Sequence, residues 1–192
     1  MRWVILLSLF ILFMGCEKSS NPLISQKEAL ANEVTIKAAN RLKKEKDLRP
    51  CGFGGGAMYE IRMLALSFNY YHDLSLEEGR ELLLYAVDTF LEEINSNEEI
   101  KPYLLNYPFG PKNVEIRIFP RNQNGSSLTS EQFCWITAVG GDFQYNLQNP
   151  GSEKTTIAHK ETYQEALEKF SHHTLNQSIK NSLEEGVRKA EK

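Results

Sequence analysis

Cysteine supplies most of the chemistry that the residue types of this 192-residue chain allow, and there are three of them, Cys16, Cys51 and Cys134. Cys51 opens the stretch Cys51-Gly52-Phe53-Gly54-Gly55-Gly56. A cysteine nucleophile needs a neighbouring base and backbone N–H donors for an oxyanion, and glycines expose such donors. His72 and His159 are the candidate bases, and only the fold could bring them near Cys51. A hinge, or glycines that let a helix approach a strand closely, explains the same stretch without catalysis. Cys51 and Cys134 also form an even pair, which in an exported chain reads either as a disulfide or as two free thiols. Spacing along the chain does not choose between them.

Cys16 has a different context. Val4 to Met14 is apolar except for Ser8, follows Arg2, and stops at Gly15-Cys16 before the polar run Glu17-Lys18-Ser19-Ser20-Asn21-Pro22. The apolar run is too short for a membrane-crossing helix, which needs about 20 residues, and suits an export signal, which needs about 7–15. Leu12-Phe13-Met14-Gly15-Cys16 resembles the bacterial lipoprotein box, with Phe13 and Met14 bulkier than its usual occupants. Acyl chains on Cys16 would then form the anchor, since each buried CH₂ contributes about 0.8 kcal/mol. The expected organisation is a signal peptide over 1–15, a lipidated Cys16 and tether over 16–24, and a single domain over 25–192.

The remaining reactive groups point less clearly to a reaction. The glycines lack the G-x-x-x-x-G-K-[ST] spacing of a phosphate cradle and precede a strand pattern rather than a helix. His172-His173 and His159 lack the i, i+4 pairing of helical metal ligands, so no metal site and no cofactor is expected. Glu77-Glu78, Glu92-Glu93, Glu98-Glu99 and Glu184-Glu185 fall on the polar sides of helical patterns and read as solvated charge. Tyr103, Tyr107 and Phe109, beside Pro102, Pro108 and Pro111, are the candidate contact surface, because aromatic side chains at Pro-bearing turns often serve recognition, and core packing is the competing reading for most of the chain's aromatics. The 22 basic and 25 acidic side chains give a net charge of −3, an acidic balance that argues against nucleic-acid binding.

The elements that must position these groups follow from periodicity. Ser25 and Glu28 have the spacing of a capping box ahead of a helical row at Leu30, Val34, Ala38 and Leu42, broken at Arg49-Pro50-Cys51-Gly52. Leu64, Leu66, Phe68 and Tyr70 alternate as one buried strand face. Ser75 and Glu78 form a second capping box, and Leu83, Val87, Phe90 and Ile94 continue a helix that should pack on the sheet. Three alternating stretches, over 114–119, 132–139 and 143–147, read as an antiparallel meander, with a short edge strand over 155–159. A helix carrying Tyr163, Ala166, Leu167 and Phe170 follows, and the tail repeats Leu175, Ile179, Leu183 and Val187. The predicted fold is α+β, a mainly antiparallel sheet of four to five strands with helices packed on one face and amphipathic terminal helices.

The stretches GGGAMYEIRMLALSFNYY, INSNEEIKPYLLNYPFGPKNVEIRIF and KETYQEALEKF resemble those of uncharacterised lipoproteins of chlamydia-type bacteria. The resemblance implies an exported, membrane-anchored lipoprotein facing the periplasm, on the inner or the outer membrane, and brings no activity, ligand or catalytic residue. The expectation from residues and resemblance together is a non-catalytic binding or scaffolding module of the cell envelope. It would be held to the membrane by a lipid anchor at Cys16 and have an envelope protein as partner. The alternative is a Cys51-dependent hydrolase or transferase of envelope components.

Overall fold

A computed structural model describes residues 22–57, 59–127, 129 and 131–174, with side chains from residue 26 onward. The expected signal segment, Cys16 and the apolar row Leu175–Val187 lie outside the described residues.

The first helix, α1 (Pro22–Lys46), starts earlier than the Ser25 box suggests. Proline suits a first helical turn because its missing N–H would be unpaired there in any case. Small residues set the closeness of its packing: Ala31, Ala38 and Ala39 are buried beside Leu30, Val34 and Leu42. Asp47, at φ +50, turns the chain out of the helix, a conformation that Asp tolerates better than most side chains.

The chain then enters β1 (Arg49–Gly56) and returns antiparallel as β2 (Met63–Tyr70). The glycine stretch read as a possible hinge is therefore a strand. Leu64, Leu66 and Phe68 are buried as the alternation requires.

The second helix, α2 (Leu76–Ser96), begins at the expected capping box, with Glu78 N–H donating to Ser75 Oγ at 3.2 Å and Ser75 N–H donating to Glu78 Oε2 at 2.9 Å. It crosses the sheet and delivers the chain through short 3₁₀ turns at Lys101–Tyr103 and Pro111–Asn113 to β3 (Val114–Pro120), which pairs parallel with β2. From there β4 (Phe133–Val139), β5 (Asp142–Gln148) and β6 (Thr155–Thr162) follow as an antiparallel meander. The third helix, α3, covers residues 163–174.

The α+β class holds, with two corrections to the expected sheet. It has six strands in the order β1-β2-β3-β4-β5-β6, not four to five, because the glycine-rich segment pairs as β1. It is also mixed, because the α2 crossover forces β2 and β3 to run parallel.

The helices share one side of the sheet. Ile116, Ile118, Ile136, Ala138, Phe143 and Tyr145 are buried with Leu83, Val87, Phe90 and Ile94 of α2 and Ala166 of α3. No helix among the described residues is long and apolar enough to cross a membrane.

Candidate functional site

The carboxyl ends of the parallel pair β2 and β3 open into a cleft of about 500 Å³ lined by Tyr70, Tyr71, His72, Asp73, Arg121 and Gln132, among others. Such a position follows from topology: α2 leaves β2 at this end, so nothing continues the strands and the two following loops splay apart. The loops are tied across the gap. Arg121 N–H donates to the Tyr70 carbonyl at 2.8 Å, and Gln123 Nε2 donates to the Tyr71 carbonyl at 2.6 Å.

Arg121 is the distinctive group here. Its guanidinium donates to Ser127 Oγ at 3.2 Å and lies 5.6 Å from the Phe119 ring centroid, with no carboxylate partner among the described residues. It therefore joins the cleft to the sheet face turned away from the helices. That face carries Phe119 on β3 and Trp135 on β4, both half-buried, while its charged groups are matched internally. Glu115 pairs with Arg117, and Asp142 pairs with Lys160 at 2.7 Å. The side-chain amide of Asn146, opposite Trp135 in the β4–β5 register, is buried with an unpartnered Nδ2.

The residues singled out by sequence are dispersed. Cys51 and Cys134 are both free, one of the two readings that the sequence leaves open. The sheet order places three strand steps between β1 and β4, roughly 14 Å, whereas a disulfide needs Cα atoms within about 7 Å. Cys134 instead donates from Sγ to the Asn146 carbonyl at 3.2 Å.

The geometry does not activate Cys51. Burial pushes its thiol up and Arg121 opposes the shift only in part. His159 sits on β6, the far edge of the sheet, roughly 24 Å away at about 4.8 Å per strand. His72 Nε2 faces Asp47 at 3.7 Å, and its ring lies 4.9 Å from that of Tyr70.

Tyr103, Tyr107 and Phe109 do not form one exposed patch, which corrects the candidate contact surface. Phe109 is 3 % exposed because the Asn95 side chain clamps its backbone, accepting from Phe109 N–H at 2.8 Å and donating to the Phe109 carbonyl at 2.9 Å. Tyr103 packs against the core, and its carbonyl accepts from Ile61 N–H at 2.7 Å. Only Tyr107 is open, with Lys101 Nζ 4.6 Å above its ring. His172 and His173 are exposed on α3, and no group of three or more metal-ligating side chains occurs among the described residues.

Sequence reasoning missed a buried charge cluster. Glu161, 3 % exposed on β6, accepts at Oε1 from Arg80 Nε of α2 at 2.8 Å and from the Tyr145 hydroxyl at 2.9 Å. Its Oε2 accepts from Lys169 Nζ of α3 at 2.8 Å, with His159 Nε2 at 3.4 Å. Burial alone would push the carboxyl up, but the donors outweigh it and hold it down at about 2. Tyr145 is pushed strongly up by burial and by the same carboxylate. Donors from α2, β5 and α3 converge on Glu161, so the cluster fastens α2 and α3 to β5 and β6.

The architecture is thus an α+β domain in which, among the described residues, one sheet face is covered by helices and the other is not. Comparison with protein-family models, with curated proteins and with solved structures finds no match.

Proposed function

We propose that the chain is an exported bacterial envelope protein, held at the membrane by acyl chains on Cys16 and acting as a non-catalytic binding module for another envelope protein. The anchor rests on the sequence alone: the short apolar run, the Gly15-Cys16 junction and the polar tether that follows. The binding role is supported by one structural observation. The sheet face opposite the helices presents Phe119 and Trp135 on adjacent strands beside Arg121, a cation with no carboxylate partner among the described residues. Aromatic and arginine side chains at the centre of a surface supply most binding energy at protein interfaces. The same face balances its other charges internally, so Arg121 is the group left to recognise an acidic side chain of a partner.

The test has two arms in intact cells. Incorporation of a fatty-acid analogue into the chain should be lost in Cys16→Ser, and an unmodified Cys16 in the wild type would remove the anchor. A photoreactive phenylalanine at position 135 should yield one discrete adduct with an envelope protein that Arg121→Glu reduces at least tenfold. An adduct indifferent to Arg121, or none, would overturn the binding surface.

A further inference from the structure

The glycine-rich edge strand has features that neither the core nor the helix-free face explains. β1 is first in the sheet order, so one side of its backbone is unpaired within the sheet. Edge strands in stable domains are normally guarded by charge, proline or bulges against pairing with another chain. β6, the opposite edge, follows that rule with His159, Lys160 and Glu161 and a register shift. On β1 the guards stop early: Arg49, Pro50 and the bulge at Cys51 protect its start, and Gly52 to Gly56 carries no charge.

Glycine is a poor strand residue, and its use here divides into two kinds. Gly55 is required, because a Cβ would fall 2.5 Å from the Met63 carbonyl oxygen. Gly54 and Gly56 are not required from within: a Cβ at either would meet open space, and neither has a positive φ. A strand glycine with no internal need and no bend at its position is one sign of close approach by another backbone.

Beside these glycines is an unfilled site and a side chain suited to it. A cavity of about 210 Å³ lies between α1 and β1 over Gly54 and Gly55, walled by Ala31, Asn32, Thr35 and Leu64. Phe53, on its rim, is 70 % exposed, and Ile36, one helical turn beyond Asn32 on α1, is 53 % exposed. Phe53 and Gly55 point to the same side of the sheet, two residues apart.

We propose that β1 is a self-association edge, at which two copies of this chain pair antiparallel about a two-fold axis through Gly54. In that register Gly54 faces Gly54, and Phe53 faces the partner's Gly55. Each phenyl ring then lies over a residue with no side chain and enters the cavity between the partner's α1 and β1, with Ile36 closing its outer wall. The ring–glycine pairing across strands restores the packing that glycine lacks. Any other extended segment would have to supply its own aromatic at this register; a second copy supplies one by symmetry, twice. The pairing would join two six-stranded sheets into one, with the helix-free faces continuous, and it is independent of what those faces bind.

The test uses the full chain in cells, in a Cys51→Ser, Cys134→Ser background. Adding Gly54→Cys, a position with room for the side chain, should give a disulfide-linked homodimer under mild oxidation, with residue 54 bonded to residue 54 in the digested product. Phe53→Ala should lower that yield at least tenfold, and Ile157→Cys on the opposite edge should give no homodimer. A Gly54→Cys chain that stays monomeric while a maleimide labels its thiol would overturn the proposal. An adduct with a different protein would do so as well. As a second measurement, the wild-type chain in detergent should show dimer by light scattering at increasing concentration, and a monomer throughout would count against it equally.

Discussion

Glu161 links acidity to stability through a single buried carboxylate. Its native state resists protonation down to about 2, whereas an unfolded chain takes up the proton near the ordinary value of 4.5. Between those values the unfolded state binds more protons, so stability must fall as pH falls through the window. The contribution, of order 3 kcal/mol, is fully present above about 4.5 and lost below about 2. Glu161→Gln should therefore cost about 3 kcal/mol or more at pH 7, because it also leaves Arg80 buried without a counterion. It should also flatten the stability profile between pH 5 and 3; urea unfolding of both proteins at pH 7, 5 and 3 reads both effects. The apolar residues around the cluster, such as Phe143 and Ala166, carry no titrating group and have no part in this dependence.

At the scale of elements, the contact of α2 with the sheet turns on Gly79. A Cβ there would lie 3.2 Å from Tyr145 Cε1 and 3.4 Å from Ile136 Cδ1. Alanine would favour an isolated helix by about 1 kcal/mol, but the Tyr145 ring is fixed by its hydroxyl bond to Glu161 and cannot retreat. Gly79→Ala should thus lower the melting temperature despite the better propensity, and the same substitution should lower it less in a Tyr145→Phe background, where the ring is released from its hydroxyl bond. Differential scanning calorimetry of the single and double variants decides it. The elements themselves were largely legible: alternation marked β2 to β5, and the Ser75–Glu78 box marked the start of α2. β1 was hidden because glycine carries no alternation, and its pairing is decided by the open edge of β2. The parallel join was latent in the order strand–helix–strand, which the meander that follows it obscured. Spacing does not decide between core and surface for Phe109, because its burial depends on a clamp from Asn95, a residue on another element. Arg121 and Glu161 carried no motif, since their roles exist only where separate strands and helices meet.

At the scale of the whole molecule, one seam divides the sheet, and α1 packed on α2 bridges it. β1 and β2, under α1, lie on one side of it and β3 to β6 on the other, and the halves meet at the register Leu64–Val114 to Tyr70–Pro120. Ile116, fully buried at the middle of that seam, should cost 2–5 kcal/mol when replaced by alanine. Because the seam is shared, hydrogen exchange in Ile116→Ala should accelerate to a similar degree in β1–β2 and in β4–β5. Acceleration confined to one half would show that the halves open separately. The same seam governs how the chain matures as it is made. Synthesis proceeds from the amino end, so β2 emerges with one long flank lacking its mate and must wait for α2 and the turns after it before Val114 arrives. During that interval the growing polypeptide displays Leu64, Leu66 and Phe68 to its surroundings, and this is the stage at which a chaperone would have most to shield.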